Sequence, residues 1–442
     1  MKRKILVIIS LMLAVLSVFS ACTKAPSELV GDDTAEGTVT VKDALIINGV
    51  NVTDYTIVYD GRLAVGSSTA QKYFNSKMKQ EYDVELSTKT SVADGNQIFI
   101  GHKGSDASME TFLSSCDGGM LGFDGKNIYI LSKDRAGLFG VIDAFFAKAV
   151  SQGEYSEITV SQTEKVALKS DSLKVMSYNV LYDPYHDEEQ TQPRDIAALA
   201  EFLKAQAPDV LGTQETQKFH KEAILKAMPN YECYEGVVLK GGAKQSNMIF
   251  WNADKFKLVS KGFQYLTSTP YSESKIEESN SYRGFSYVVL ESRESGNQFM
   301  FVDVHITYRD SDGNNSGDKV KLARLKQAQY LVKFLENKKY DTMPIVLVGD
   351  FNSVPDSEAL NAIDNSKRID RTALVAKTKG DVSGTLTKSN QTERDNKYIF
   401  DHIFVTSDRI VTQYYSVIDA DSKVNGYYLS DHLPVVANIV IY

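Results

Sequence analysis

Between Ser172 and Tyr442, short apolar runs alternate with amphipathic segments, the pattern of strands and helices in an α/β domain. The predicted strands are Leu173–Ser177, Asp209–Gly212, Asn247–Trp251, Phe285–Glu291, Gln298–Thr307, Ile345–Val348, Tyr398–Val405 and Leu433–Ile441. One helix is predicted on the apolar positions Ile196, Leu199, Phe202 and Leu203, ending before Pro208, and another over Lys319–Glu336. The pattern contains no internal repeat.

The strand Ile345–Val348 carries the clearest chemical signal, because Gly349 is predicted to break it just before Asp350 and Asn352. Side chains alternate along extended backbone, so positions two apart point the same way. We therefore expect a carboxylate and an amide to leave the end of this strand on one face. The alternative is a strand and turn in which both residues only cap the turn.

The N-terminal third predicts a separate, small α+β accessory domain over residues 41–168, with the main domain over 169–442. Its predicted strands are Ala44–Ile47, Tyr55–Tyr59, Gln97–Gly101, Asn127–Ser132 and Ile158–Val160. Its predicted helices are Ala64–Tyr82 and a segment capped near Asp134 whose apolar stripe runs from Leu138 to Val150.

The first 22 residues have the form of an export signal, with a basic start followed by the apolar run Ile5–Phe19. Phe19-Ser20-Ala21-Cys22 resembles the lipobox of bacterial lipoproteins, although Phe19 stands where leucine is usual. We expect residues 1–22 to be a lipoprotein signal peptide and 23–40 a flexible tether. Lipidated Cys22 would then hold the protein on the outer face of a bacterial membrane. The alternatives are an ordinary signal peptide and an uncleaved anchor.

Composition narrows the class of partner. The formal net charge is −8 over 442 residues, and the pI is near 5.5. The composition therefore lacks the excess of basic residues that is typical of proteins with a stable nucleic-acid partner. The two cysteines beyond the signal, Cys116 and Cys233, fall in different predicted domains and are expected to be unpaired.

Further polar residues end or interrupt the apolar strands of residues 169–442. Together they comprise four carboxylates, two amides and two imidazoles: Asn179, Glu215, His305, Asp350, Asn352, Asp401, Asp431 and His432. Buried charge is costly unless it is paired or bound to a metal. This set therefore predicts a reaction centre rather than an ordinary core.

The blocks that carry these residues are MSYNV, GTQET, VDVHIT, GDFNS, IFDHIFV and LSDHLPVVA. In this order they resemble the endonuclease/exonuclease/phosphatase superfamily. The resemblance implies a DNase I-like four-layer β-sandwich of the α/β class, flanked by helices. The segments IFIG and LGFDGKNIYILSKDRAGLFGVIDAF resemble the non-catalytic domain before the barrel of some glycoside hydrolases, such as α-glucuronidases, which makes a glycan a candidate ligand of the accessory domain.

The chemistry of each residue type indicates a role. Glu215, Asp431 and Asn179 are expected to serve Mg²⁺, with Mn²⁺ as the alternative ion. His432 would take a proton from water, and the resemblance gives Asp401 as its partner. Asp350 and Asn352 would position the water and a phosphoryl oxygen, and His305, if protonated, would stabilise the developing charge. His186, His220 and His402 are expected to be structural.

The sequence therefore predicts an exported, metal-dependent phosphoesterase that uses water to attack a phosphoester, with diesters preferred over monoesters. Three other classes stay open: an extracellular nuclease, a phospholipase C- or sphingomyelinase-like enzyme, and a non-enzymatic glycan-binding surface lipoprotein.

Overall fold

The structure is a computed structural model that describes residues 44–59, 66–92, 94–101, 107–182, 195–237, 245–366 and 368–442. Asp43–Tyr442 form one compact unit. The expected signal peptide, tether and lipidated Cys22 lie outside the described residues, as does His186. Within the described ranges, no helix combines the length and apolar character needed to cross a membrane.

Two sheets are built from the strands that precede residue 167. These are β1 Ala44–Ile47, β2 Val50–Asn51, β3 Tyr55–Tyr59, β4 Thr88–Lys89, β5 Asn96–Gly101, β6 Gly119–Phe123, β7 Ile128–Ser132, β8 Val150–Ser151, β9 Tyr155–Ile158 and β10 Thr163–Val166. The larger sheet has the order β10-β6-β7-β5-β3-β4 and the smaller β2-β1-β9-β8. The helices of this region are α1 Gly66–Tyr82, α2 Ala107–Ser114 and α3 Leu138–Phe146.

Two larger sheets follow. Their strands and the short hairpins beside them are β11 Asp171–Asn179, β12 Val210–Thr216, β13 Tyr231–Tyr234, β14 Ser246–Asn252, β15 Phe256–Tyr265, β16 Gly284–Ser292, β17 Gln298–His305, β18 Ile345–Asp350, β19 Asp370–Arg371, β20 Thr378–Lys379, β21 Leu386–Thr387, β22 Arg394–Asp395, β23 Asp401–Val405, β24 Ile410–Val417, β25 Lys423–Val424, β26 Tyr427–Tyr428 and β27 Val435–Ile441. The helices are α4 Ile196–Gln206, α5 Lys218–Ala227, α6 Asp318–Leu335, α7 Glu358–Asp364 and α8 Thr372–Val375.

These elements stack in four layers. One sheet has the order β13-β14-β12-β11-β27-β24-β20 and the other β15-β16-β17-β18-β23-β19. Apolar side chains of both sheets form the central core, and separate cores join one sheet to α4 and α5 and the other to α6 and α7. The sequence prediction of a four-layer, DNase I-like sandwich flanked by helices is confirmed.

The apolar residues of strand β18 follow one another without alternating polar residues. Val346 and Val348 enter the core between the sheets, whereas Ile345 and Leu347 enter the core beneath the helices. Both faces of the strand are therefore buried, as expected for a strand in the middle of a layered α/β domain. The sequence interpretation was wrong at Gly349, which lies inside β18 and pairs with both neighbouring strands.

Some elements, such as β15 and β24, were not predicted at all, and other differences lie at element ends. The predicted strand Tyr398–Val405 begins only at Asp401, and Val150 belongs to β8 instead of extending α3. The predicted strand Ile158–Val160 is observed as Tyr155–Ile158. Cys116 and Cys233 are unpaired, as predicted. The accessory-domain boundary stays a prediction, although no strand is shared between the two pairs of sheets described above.

Arg409, between β23 and β24, links the two halves of the compact unit. Its guanidinium lies 4.5 Å from the ring centroid of Phe139 on α3, and it donates to the backbone oxygens of Thr342 and Tyr442. Lys377 and Asp134 add an ion pair at 3.6 Å. Cation–π stacking with a fixed guanidinium holds this helix against the sandwich.

One carboxyl group is buried between the two large sheets without full hydrogen bonding. Asp303 is fully buried, and Gln214 Nε2 donates to its Oδ1 at 2.5 Å. Within the described residues its Oδ2 has no hydrogen-bond partner. Burial raises the pKa of Asp303 well above its ordinary value. The folded protein therefore holds this proton more tightly than the unfolded chain does.

Asp303→Asn tests this assignment through the pH dependence of stability. Wild type should lose stability as the pH rises above about 4, the ordinary aspartate pKa, because unfolding then releases the proton. Asp303→Asn has no proton to release at this position, so it should not lose stability in this way. The melting temperature of the variant minus that of wild type should therefore increase from pH 5 to pH 8. Asp254→Asn, at an exposed carboxylate, is the matched control and should run parallel to wild type. A parallel curve for Asp303→Asn would show that the carboxyl is ionised when folded.

Candidate active site

Strand topology collects the polar residues at one edge of the sandwich. Strands β17 and β18 are parallel, and β23 is antiparallel to β18, so two carboxyl ends meet one amino end. The register pairs His305 with Asp350 and Asp350 with Asp401. In the facing sheet, β11 and β12 are parallel and end in Asn179 and beside Glu215. Residues far apart in sequence thereby face one region.

Backbone strain concentrates at the same edge. Leu181 and Glu215 each have φ of 58°, and Asn352 has φ of 47°. Left-handed conformations of this kind are unfavourable for residues other than glycine and need support from their surroundings. Their occurrence beside three of the strand ends marks this edge as a functional site.

Asp350 lies at the centre of the hydrogen-bond network. Its Oδ1 accepts from the Asn352 backbone N–H at 2.8 Å, and its Oδ2 accepts from Asn179 Nδ2 at 3.0 Å. Burial raises the pKa of the Asp350 carboxyl, against the effect of these donors and of His432. Asn179 Oδ1 also accepts from the Leu181 N–H at 3.0 Å, so both polar atoms of this amide are hydrogen-bonded to neighbouring residues.

His432 and Asp401 form the pair that the resemblance implied. The distance from His432 Nδ1 to Asp401 Oδ2 is 2.8 Å, and His432 Nε2 lies 3.7 Å from Asp350 Oδ2. Burial opposes protonation of the ring, but the charges of Asp401 and Asp350 outweigh it and raise the pKa of His432 well above its ordinary value. Since Asp401 accepts the proton on Nδ1, Nε2 faces the site and is free to exchange a proton there.

His305 has the opposite electrostatic environment. Its Nδ1 lies 3.1 Å from an Arg283 terminal nitrogen, which can only donate, so the ring proton belongs on Nε2. Nε2 lies 3.3 Å from Asp350 Oδ2 and 3.2 Å from Asn352 Nδ2. Burial and then the charge of Arg283 hold the pKa of His305 well below its ordinary value. The role expected for His305 required a protonated ring, and the structure favours a neutral donor instead.

Glu215 and Asp431 form a group of like charges at the rim. Glu215 Oε2 accepts from the Tyr182 N–H at 3.0 Å, and Asp431 Oδ1 lies 3.4 Å from the Ser430 hydroxyl. Burial, and then the charge of Asp431, raise the pKa of Glu215. The charges of Arg283 and His432 act on Glu215 in the opposite direction but do not outweigh burial and Asp431. Two neighbouring carboxylates make a donor set that fits a divalent, oxygen-binding metal ion.

A second acidic group lies close by. Asp350, Asp401 and His432 offer atoms within 4.8 Å of one another. Its Asp401–His432 contact is already a short hydrogen bond. Asp401 Oδ1, however, has no hydrogen-bond partner among the described residues. Because Asp401 and His432 are already joined by that hydrogen bond, we interpret Asp350, Asp401 and His432 as the acid–base residues. Glu215 and Asp431 are then the residues that would hold the metal ion beside them.

The structure brings all eight predicted residues to this edge of the sandwich, and their individual roles stay predictions. It adds Arg283, which is 8% exposed and contacts His305 directly. The sequence offered a weak signal for Arg283, a lone cation two residues before the apolar run of β16, where a solvated side chain is more common. Ser430 was also missed; its hydroxyl donates to the Asn179 backbone oxygen at 2.6 Å and so ties the Asp431–His432 segment to β11.

Gly349 is required by the same crowding. A Cβ at this position would lie 2.0 Å from the backbone oxygen of Val304 on the neighbouring strand. Only glycine lets β17 approach β18 closely enough to keep His305 opposite Asp350.

The fold and this site are those of a family whose members are hydrolases that act on phosphoesters. Residues 176–432 match the Endonuclease/Exonuclease/phosphatase family, and the chain belongs to that family. Members of the family usually use a divalent metal ion, in keeping with the acidic cluster.

Relatives in sequence are distant. The chain is 26% identical over 223 residues to carbon catabolite repressor protein 4 homolog 3 of Arabidopsis thaliana, a match that covers 47% of this chain and 46% of the relative. It is 26% identical over 222 residues to protein angel of Drosophila melanogaster, covering 46% of this chain and 59% of the relative. The chain thus spans about half the length of these relatives.

Solved structures share the fold. A family member from Bacteroides thetaiotaomicron has a TM-score of 0.54 and 23% identity, covering 62% of this chain and 99% of its own. A mannosyl-6-phosphatase of the same organism has a TM-score of 0.50 and 24% identity, covering 60% of this chain and 99% of its own.

Glu215→Gln tests the proposed metal position without depending on activity. Removing one charge should weaken binding of Mn²⁺ or Mg²⁺ at least about tenfold, since even indirect ligand contacts have effects of that size. Calorimetry and the metal-induced rise in melting temperature measure the change. Glu232→Gln, at an exposed glutamate in the same sheet, is the matched control. Equal affinity in Glu215→Gln and wild type would place the ion elsewhere.

Proposed function

We propose that the protein is an exported, divalent-metal-dependent phosphoesterase in which water attacks a phosphodiester, with a phosphomonoester as the second substrate form. The observation that carries this proposal is the pairing of an oriented imidazole, His432, with a group of like-charged carboxylates at the same strand edge. A base beside a cation position is the minimum that metal-assisted hydrolysis requires.

In this proposal the residues of the chain divide the work. A divalent ion at Glu215 and Asp431 would offset the carboxylates that raise the pKa of His432 and so favour its neutral form. The neutral His432 accepts a proton from the attacking water at Nε2, and Asp401 fixes the ring and stabilises its charged form. Asp350 holds the water in line. Asn352 Nδ2 donates to Asp350 Oδ2 and to the Ile306 backbone oxygen, and the neutral His305 Nε2–H faces Asp350 Oδ2. Both donors therefore lie where a phosphoryl oxygen at Asp350 would meet them. A divalent ion held by Glu215 and Asp431 would polarise the phosphoryl group.

Arg283 adds a positioning role. Its contact with His305 Nδ1 selects the tautomer that has a proton on Nε2. Within the described residues its Nε has no hydrogen-bond partner, so the guanidinium keeps donor capacity beside the site. The positive charge also lies near Glu215 and Asp350, where it favours an anionic substrate.

Hydrolysis of bis-p-nitrophenyl phosphate tests the activity. Wild type should release p-nitrophenol with Mg²⁺ or Mn²⁺ and stop when EDTA removes the ion. His432→Gln should lower kcat by about 10²–10⁴-fold, the usual contribution of a general base. Asp401→Asn, which leaves the ring but removes its partner, should show a smaller loss of kcat.

The control for these variants is Asp254→Asn, at an exposed carboxylate outside the site, with melting curves recorded for all proteins. Unchanged activity in folded His432→Gln would reject the assigned base. Nicking of plasmid DNA in preference to small esters would favour a nuclease, and hydrolysis of liposomal phospholipid would favour a phospholipase C-like enzyme. Absence of any hydrolysis together with oligosaccharide binding would favour the glycan-binding alternative.

Export and lipid anchoring form a separate part of the proposal and rest on the sequence of residues 1–22. Expressed in a bacterium that processes lipoproteins, wild type should fractionate with membranes and incorporate labelled fatty acid. Cys22→Ser should lose the label. Membrane-bound wild type that takes up no label would indicate an uncleaved anchor instead.

A further inference from the structure

A cleft of about 680 Å³ opens beside the acid–base residues. Asn352 lines the cleft and also contacts His305 and Asp350, so it belongs to both regions. The volume is within the range of pockets that take a single small molecule. A substrate with its phosphoryl group at Asp350 would place the organic group attached to that phosphate in the opening of the cleft.

The walls of the cleft continue the segments that carry the acid–base residues. Tyr308 follows His305 by three positions, and Ser353 and Val354 follow Asn352 directly. Phe400 immediately precedes Asp401. The same strand ends therefore position both the reacting groups and the walls.

A fourth wall arises by backbone pairing. Leu386 lines the cleft and forms an isolated bridge with His432, and the Phe400 backbone oxygen accepts from the N–H of Phe351 at 2.9 Å. These contacts tie the wall residues to the strands instead of leaving them on free loops. A pocket built in this way is pre-formed for its ligand.

The surface of the cleft combines ring faces with hydrogen-bond acceptors. Tyr398 and Phe400 place their ring centroids 5.4 Å apart, and Tyr308 is 39% exposed. Asp356 and Glu358 add two carboxylates to the lining. Rings that pack against C–H faces, together with carboxylates that accept from hydroxyl groups, suit a polyhydroxylated ring.

The cations of the lining do not form a site for a second phosphate. Arg324 uses Nε and one terminal nitrogen to donate to the backbone oxygens of Thr307, Tyr308 and Asn315. Lys321 is exposed and lies 3.5 Å from Asp318. The two cations and two carboxylates of the lining balance in charge, so the cleft offers no net attraction for a further phosphate group, which disfavours a nucleic-acid chain.

We propose that this cleft binds the organic group of the substrate and that this group is a single sugar ring, so that the enzyme acts on a sugar phosphate. This inference rests on the proposed function and specifies its substrate class. Tyr398 and Tyr308 are assigned as specificity-determining residues. The Lys397 ammonium lies 4.9 Å from the Tyr398 ring centroid, so the opposite face of the Tyr398 ring is the one assigned to the sugar.

Inhibition and direct binding test the proposal for either ester type. Wild type should be inhibited by a hexose 6-phosphate with a Ki at least about tenfold below that of glycerol 3-phosphate, which has hydroxyl groups but no ring. In Tyr398→Ala that advantage should fall by about tenfold, with Tyr308→Ala showing a smaller loss. Calorimetric titration of the hexose 6-phosphate should show the same ranking.

Tyr155→Ala, at an exposed tyrosine on β9, is the matched control and should keep the wild-type preference. Equal Ki values for the hexose 6-phosphate and glycerol 3-phosphate, or an unchanged preference in folded Tyr398→Ala, would overturn the proposal. Tighter binding of a nucleoside 5′-monophosphate than of the hexose 6-phosphate would overturn the proposal and show that the cleft takes a nucleoside. If wild type does not hydrolyse bis-p-nitrophenyl phosphate, the proposed function is rejected. The calorimetric ranking would still decide whether the cleft binds a sugar phosphate.

Discussion

Strand register is the constraint on which the site depends. His305, Asp350 and Asp401 occupy one line across three neighbouring strands, and that line holds a buried carboxylate beside two other titratable side chains. Left to themselves, such groups would move apart or take up protons, because like charges and poor solvation both oppose ionisation. Backbone pairing prevents separation, and hydrogen bonds from Asn179 and Asn352 stabilise the charge that remains.

The two histidines of the site show how the same line supports different protonation states. His432 faces carboxylates and is held basic, whereas His305 faces a guanidinium and is held neutral. The distinction arises from the side chain that contacts Nδ1 in each ring, Asp401 in one and Arg283 in the other. Two chemically identical groups thereby become a proton acceptor and a hydrogen-bond donor, a separation typical of acid–base sites.

The sequence was most informative where apolar runs ended in polar residues. Strands β17 and β18 were predicted nearly in full, since both faces are buried and a run of apolar residues allows few other structures. Strand β15 was missed because it lies at a sheet edge, where Lys257, Ser260 and Lys261 interrupt the pattern. An edge strand is partly solvated, so its sequence need not be apolar.

Within the site, sequence could identify residues but not contacts. The block GDFNS predicted that Asp350 and Asn352 share a face, and the structure joins them by two hydrogen bonds. For Arg283 the sequence offered only a weak signal, because the importance of this residue comes mainly from a contact across the sheet with His305. The tautomer of His305 depends on that contact and was therefore out of reach.

The close approach at Gly349 has a consequence for how the protein can diverge. A side chain there would separate β17 from β18, and a one-residue shift of β18 would turn Asp350 away from the site. Insertions between strands, in contrast, leave the pairing intact and change only what surrounds the opening. New substrate preferences should therefore arise by remodelling the connecting segments, while the strand ends that hold the reacting groups accept almost no variation in length.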